Sequence, residues 1–382
     1  MDNQYLQDLI NETKLRGGGL ILNSGGKPEV VVLSIDKYNE LIASDKGIEK
    51  SENAINNFQT MKKILVTGGA GYIGAHAVGE LLANGYEVVI VDNLSSGKKE
   101  NLDSRAKFYE GDLSDINFLR DVFAQEKISA VMHFAASIEV AESVKEPGKY
   151  FENNTLNTAN LLKVMDESNV KEIIFSSTAA VYGPSESLLQ ETSPVKPQSP
   201  YGFSKLLAEK IIKYYCQYKN FNAVVFRYFN AAGCRPKADV LPTHFSHLID
   251  NVMEVAVGRK ALVEVFGNDF PTFDGSGVRD YVSVEDIASA HVLALKHISE
   301  ENFQVFNIGT GKGKSVIEIV SLASEVLGRI IPMEMAARRP GDPAEVVANP
   351  NKILKAWGFA PTKSSLETIL KGAYKQKMAS IE

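Results

Sequence analysis

The segment that most narrows what this chain can become is Thr67-Gly68-Gly69-Ala70-Gly71-Tyr72-Ile73-Gly74, which follows the apolar run Ile64 to Thr67 and precedes the helical spacing Ala77, Leu81, Leu82. Glycine serves there because a backbone without Cβ turns tightly and comes close to a pyrophosphate. The free N–H groups and dipole at the start of the following helix favour negative charge. In a chain with 29 glycines a Gly-rich match says little by itself, but a strand before it, a helix after it and an acid about 20 residues on make it specific. That acid is Asp92, directly after the run Val88 to Val91. Its carboxylate can accept both ribose hydroxyls of an adenosine and repels a 2′-phosphate, so NAD is expected rather than NADP. A second glycine cluster, Gly309 to Ser315, has Ile308 where a P-loop needs glycine five positions before Gly313, and reads instead as a turn lining the pocket.

Short β-branched runs alternate with helical stretches at Ile64 to Thr67, Val88 to Val91, Ala130 to Phe134, Ile173 to Ser176, Val224 to Phe229 and Val305 to Ile308. Near-continuous apolar strands imply a parallel sheet covered on both faces, so the expected fold is a doubly wound α/β sheet of the Rossmann type. It should occupy residues 61–382, with a smaller C-terminal substrate lobe drawn mainly from 180–200, 231–300 and 310–382, where Pro- and Gly-rich loops interrupt the regularity. Residues 44–60 are polar and aperiodic and read as a linker. Residues 1–43 read as a small α+β module of helix, hairpin and helix. Their pattern Gly26-Lys27-Pro28, Val30 to Leu33 and Ser34-Ile35-Asp36-Lys37-Tyr38 resembles the prevent-host-death antitoxin family, which would imply a toxin-binding or regulatory element.

Composition excludes several functions. The 382 residues are 44% hydrophobic and 23% charged, which suits a folded protein of one two-lobed globule or two domains. Net charge is −6 with scattered Lys and Arg, so the main body is not expected to bind nucleic acid. No apolar run approaches a membrane span and no signal segment opens the chain, so a cytoplasmic protein is expected. Cys216 and Cys234 suit packing rather than a disulfide framework. His244 and His247 stand at i, i+3 without a third ligand, so no metal is expected, and Trp357 is expected to pack in the C-terminal lobe.

Tyr followed four positions later by Lys occurs twice, as Tyr201 with Lys205 and Tyr215 with Lys219. Position selects the first pair, because Tyr201 opens a helix after Ser199-Pro200 and follows the strand ending in Ser177-Thr178. On one helix face the Lys205 ammonium can lie near the phenol and, with a positive nicotinamide ring, lower it from about 10 toward use as a base. Thr178 can offer a hydroxyl to the same substrate oxygen.

With those residues in place, the chain from Met61 to about residue 377 resembles the UDP-hexose 4-epimerases of the extended short-chain dehydrogenase/reductase family. The resemblance rests on Val66-Thr67-Gly68-Gly69, Asp92-Asn93-Leu94, Gly111-Asp112-Leu113, His133-Phe134-Ala135, Val181-Tyr182-Gly183, Pro197 to Gly202, Arg227-Tyr228-Phe229-Asn230, Gly277 to Tyr281 and Arg339-Pro340-Gly341-Asp342. It implies that NAD is held by Gly68, Gly71, Tyr72, Ile73, Gly74, Asp92, Asn93, Ser96, Asp112, Leu113, Phe134, Ala135, Ala136, Asn153, Tyr201, Lys205 and Tyr228. It implies a UDP-sugar held by Thr178, Tyr201, Asn230, His247, Leu248, Phe266, Arg279, Arg339, Asp342 and Val346, and a homodimer. Arg279 could instead pair with the adjacent Asp280.

The implied reaction is transient oxidation at carbon 4, with Tyr201 taking the hydroxyl proton, a 4-keto sugar turning over in the pocket, and NAD remaining bound. Related dehydratases carry an Asp-Glu pair after the Thr, and here Ala179-Ala180 follow Thr178. Two departures from the family stand out. A lysine often found after His-Phe-Ala is replaced by Ser137-Ile138-Glu139, and Val346 replaces the Tyr of some relatives, which implies a roomier pocket open to N-acetylated hexoses. A UDP-glucuronate or UDP-pentose substrate, or a regulatory protein built on this scaffold, are the competing readings.

Overall fold

The computed structural model describes residues 19–24, 27–33, 62–185, 187–233, 248–339 and 342–379, and the chain divides into two units, Met1–Met61 and Lys62–Glu382. In the first unit β1 (Gly19–Ser24) and β2 (Lys27–Leu33) pair antiparallel, with Leu20 opposite Val32 and a register shift between Leu22 and Asn23. The two helices expected on either side of this hairpin, and the Ser34 to Tyr38 pattern, lie outside the described residues.

The second unit is built on seven parallel strands, β3 (Lys63–Thr67), β4 (Glu87–Asp92), β5 (Lys107–Glu110), β6 (Ile128–His133), β7 (Glu172–Thr178), β8 (Asn222–Tyr228) and β12 (Phe303–Ile308), in the spatial order β12-β8-β7-β6-β3-β4-β5. Period-two alternation sends Ile64, Val66, Ile90, Met132, Ile174 and Phe226 into one core layer and Leu65, Val89, Val91, Val131, Ile173 and Val225 into the other. Burial on both faces is why the strands read as unbroken apolar runs. The exception is β5, Lys-Phe-Tyr-Glu at the sheet edge, whose two faces are only partly covered, so that its ends are exposed and its middle half-buried.

The chain leaves β3 toward β4 and β5 and returns to β6 on the other side of β3, so the strand order reverses between β3 and β6. A ligand crevice opens at the carboxyl ends of strands at such a point. Beyond it, β9 (Asn230–Ala232), β13 (Gly313–Ser315) and β15 (Glu345–Val346) all pair with β11 (Val278–Ser283), while β10 (Val263–Phe266) pairs with β14 (Met333–Ala336). This lobe has its own core of Ile249, Val252, Met253, Tyr281, Ile319, Val320, Ile369 and Leu370. Not all of the late sequence joins it. The helix Val284–His297 puts Ile287, Ala290 and Leu295 into the sheet's core. Trp357 packs on Phe226 and Phe306 of the sheet strands and stacks at 5.0 Å on His297, which corrects its expected place in the lobe.

Candidate active site

The glycine loop is shaped by contacts no side chain could share. Gly68 turns with φ +75°, and a Cβ there would stand 2.5 Å from the backbone nitrogen of Ala135, while one on Gly74 would stand 2.1 Å from the carbonyl of Gly68. The helix Tyr72–Ala83 therefore starts flush against the end of β3, with Gly71 as its N-cap, no side-chain cap and no acid in its first turn. That leaves the positive helix end facing the crevice without a competing carboxylate, which fits a pyrophosphate. The Asp92 carboxylate accepts from Ala70 N at 3.0 Å and Leu94 N at 2.9 Å, and burial pushes its pKa up against these two bonds. Gly97, which sequence reasoning passed over, closes this turn. A Cβ on it would meet Ala70 at 2.8 Å and the Asp92 carboxylate at 2.9 Å.

Neighbouring strand ends bring further expected residues to the same crevice. Asp112 accepts from Asn93 Nδ2 at 2.5 Å and Ser114 N at 2.8 Å, while Leu113 is buried beside it and Ser96 is exposed. Burial pushes the Asp112 pKa up, and the Ser114 and Asn93 hydrogen bonds outweigh it, leaving the group lowered. Phe134 and Ala135 both donate their backbone N–H to Thr67 O, at 2.9 and 3.1 Å, and the partly buried Ala136 continues that turn. Asn153 donates to Ser137 Oγ at 3.0 Å. Its neighbour Asn154, absent from the expected set, is almost wholly buried, accepts from Ser137 N at 2.8 Å and donates to Ser204 Oγ at 3.0 Å. Both asparagines lie on a π-helical turn, Phe151–Leu156, a geometry that recurs at functional sites. Tyr228 is buried and its hydroxyl is bound to His291 Nε2 at 2.6 Å, so that hydroxyl is committed within the protein.

The helix Pro200–Lys219 is set by Ser199, whose Oγ accepts from Gly202 N at 3.1 Å, and by Pro200 at its first position. A Cβ on Gly202 would lie 2.2 Å from the carbonyl oxygen of Ala180, so glycine is what lets this helix start press on the end of β7. The contact brings Tyr201 to Thr178, whose hydroxyl hydrogen-bonds the phenol and also accepts from Ala180 N at 3.1 Å. Lys205 is fully sequestered, with Nζ donating to Ser176 O at 2.7 Å and standing 4.8 Å over the Phe175 ring.

Burial raises the Tyr201 phenol, the Thr178 hydrogen bond opposes that, and Glu139 adds to the rise. The lysine's amine gives one of its three N–H groups to the Ser176 carbonyl, and burial draws its own pKa down to about 7 against the opposing pull of Glu209. The protein without its cofactor therefore holds the phenol protonated. The second Tyr-Lys pair is structural, since Tyr215 packs on Phe221 at 5.3 Å and Lys219 pairs with Asp166 at 3.1 Å.

In the C-terminal lobe, Arg279 does not pair with its neighbour. Asp280 is wholly buried and accepts from Thr310 N at 2.9 Å, Gly311 N at 2.9 Å and Ala348 N at 3.2 Å, which fixes the Gly309 to Gly311 turn. Arg279 instead faces Asp342 at 4.0 Å, with its pKa lowered by burial and by Arg339. The Arg339 guanidinium lies 3.9 Å over the Phe266 ring, Val346 pairs with Arg279 between β15 and β11, and Asn230 pairs with Tyr281. Leu248 packs against the lobe's core, and His244, His247 and Cys234 lie outside the described residues. Cys216 is buried, and burial pushes its thiol up to about 12.

A glycine loop at a sheet's switch point, a Tyr and Lys one turn apart at a strand end, and two neighbouring arginines in the C-terminal lobe define the class: a short-chain dehydrogenase/reductase fold of the nucleotide-sugar-modifying kind. Residues 64–309 match the NAD dependent epimerase/dehydratase family, and the chain belongs to it. It is 44% identical over 315 residues to a UDP-glucose 4-epimerase of Lacticaseibacillus casei, covering 81% of this chain and 95% of that protein. The UDP-glucose 4-epimerase of Brucella ovis, solved in complex with NAD, is 39% identical with a TM-score of 0.79, covering 82% of this chain and 97% of that one. The UDP-Glc/GlcNAc 4-epimerase of Campylobacter jejuni is 39% identical with a TM-score of 0.73, covering 83% and 99%. Among the described residues, no helix is long and apolar enough to cross a membrane.

Proposed function

We propose that the chain is an NAD-dependent UDP-glucose 4-epimerase that interconverts UDP-glucose and UDP-galactose through a 4-keto sugar. The observation that carries this is Tyr201 hydrogen-bonded to Thr178 at the end of β7, on the helix that also buries Lys205. The glycine loop, Asp92, Asp112, Phe134, Asn153 and Lys205 would hold NAD, and the uncapped helix start at Gly71 fits its pyrophosphate. NAD, when bound, supplies reversible oxidation and reduction at carbon 4 together with a positive ring that favours the phenolate. Thr178 and Tyr201 then hold the 4-oxygen between them, and Tyr201 takes its proton and returns it after the sugar has presented its other face. Arg279 and Arg339 present planar forks to the diphosphate, so the nucleotide stays anchored while the sugar turns. Ala179 and Ala180 supply neither acid nor base for elimination, which disfavours a dehydratase.

Val346 beside Arg279 supports a pocket that also admits N-acetylated hexoses, as the name of the Campylobacter relative says of that enzyme. Incubating the purified protein separately with UDP-galactose, UDP-N-acetylgalactosamine and UDP-glucuronate, without added NAD, tests the assignment. The expected result is 4-epimerisation of the first two, and turnover of UDP-glucuronate alone contradicts it.

A cytoplasmic homodimer completes the proposal. Its support is an apolar stripe in which Leu156, Phe203, Tyr214 and Tyr218 are 55%, 44%, 61% and 67% exposed, with a second copy as the occupant. The first 43 residues are assigned to association or regulation, as a unit separate from the enzyme body.

A further inference from the structure

Tyr201, Lys205 and Glu209 fall at i, i+4 and i+8 along one face of the helix Pro200–Lys219. Glu209 and Arg227 are both almost wholly buried. Arg227 Nε donates to Glu209 Oε1 at 3.0 Å and Nη2 to Oε2 at 2.7 Å, while the Ser177 hydroxyl also donates to Oε1. The remaining Arg227 nitrogen, Nη1, donates to the Tyr182 hydroxyl at 3.0 Å, which in turn donates to Asn307 Oδ1 at 2.6 Å. One hydrogen-bonded chain thus joins the catalytic helix to the carboxyl ends of β7, β8 and β12. Two apolar side chains of similar size would fill this space without the desolvation cost of two charges, so stability does not account for the pair.

From this geometry we infer that Glu209, clamped by Arg227 and Ser177, is a positioning residue that holds the Lys205 ammonium at the end of β7. The inference rests on the reading of Tyr201 and Lys205 as the catalytic pair. Several groups face Lys205. Glu209 does so from its own helix, buried neutral His133 from β6, the Ser176 carbonyl and Phe175 ring from β7, and Tyr228 from β8 through its bond to Ser176. Of these, Glu209 alone carries a negative charge. Burial favours the neutral amine, and Glu209 opposes that. Without Glu209 the amine deprotonates at a lower pH, and activity that needs the ammonium falls away earlier as pH rises.

The test is E209Q in the full chain, which keeps the shape and removes the charge. The expected result is turnover at pH 7 down by about fivefold, with KM for the UDP-sugar unchanged and the alkaline limb of the kcat profile moved acidward by roughly one pH unit. Because E209Q leaves Arg227 buried without its partner, E209L/R227M is made alongside it. That variant removes both charges, and the same acidward move is expected. A second readout is urea unfolding against pH. The folded lysine, at about 7, lies below its unfolded value of 10.5, so the unfolded chain binds more protons between them and stability rises with pH across that window. In the variants this rise begins at lower pH. An alkaline limb and a stability rise both unmoved in E209L/R227M would overturn the inference. If Y201F still abolishes turnover in that case, the catalytic reading stands and only the role of Glu209 falls.

Discussion

Gly202 and the carbonyl oxygen of Ala180 approach so closely that a Cβ on the glycine would lie 2.2 Å from the oxygen. This contact is what seats the catalytic helix on the end of β7. G202A must push the helix start away and separate Tyr201 from Thr178, and misplacement on this scale costs about 100-fold in rate. The expected outcome is a fall in kcat of that order with KM little changed and an unaltered far-UV circular dichroism spectrum. A wild-type kcat in a folded G202A protein contradicts it.

Arg279 and Asp342 stand 4.0 Å apart, a loose pair beside Arg339. Charge-assisted contacts to a diphosphate are worth about 2–3 kcal/mol, so R279M should weaken UDP binding roughly 30- to 150-fold, measured by calorimetry. D342N, which leaves the guanidinium in place, should change it far less. Equal losses in the two variants would mean that the ion pair itself, not the arginine, makes the site.

His133 accepts from Thr67 through Nδ1 at 2.7 Å and donates through Nε2 to Thr158 at 2.9 Å, because the Thr158 hydroxyl is itself used as a donor to Asn154 O at 2.7 Å. Burial and, secondarily, Lys205 draw this imidazole down to about 3, and burial draws His291 down to about 4. Both folded values lie below the unfolded value of 6.5, so the unfolded chain binds more protons in that window. The stability these histidines contribute is therefore complete above pH 6.5 and is lost as pH falls toward 4, by up to about 1.4 kcal/mol per pH unit for each histidine. H291Q should flatten that slope between pH 6 and 4.5 in denaturant titrations, and an unchanged slope counts against a neutral buried His291.

Phe203 and Tyr218 are each more than two-fifths exposed on the outer side of the catalytic helix. F203E/Y218E should convert a dimer into a monomer by light scattering, and an unchanged mass places the interface elsewhere. Deleting residues 1–60 should leave kcat within about twofold, since the sheet and site lie in the other unit.

Much of this was legible because chemistry and backbone geometry both mark the residue. The glycine loop, Asp92, Tyr201 and Thr178 sit where strand, turn and helix signals coincide, and the inner strands read as apolar runs because both faces are covered. Edge strand β5 lacks that mark. Gly97 and Asn154 act by closing turns against distant segments, which no local spacing records. Glu209 and Arg227 left one trace each, an acid two turns beyond Tyr201 and a charge within the apolar run Val224 to Phe229. Helical spacing records that Lys205 lies one turn from Tyr201, but not that its amine bonds Ser176 O, which belongs to a strand.

The most direct measurement is turnover of UDP-galactose by Y201F, with bound NAD quantified in the same preparation. A phenyl ring keeps the packing against Tyr150, at 6.3 Å between ring centres, and removes only the acid–base group. Interconversion reduced by about 100- to 10,000-fold with cofactor still bound is the expected result. Interconversion at the wild-type rate would contradict it.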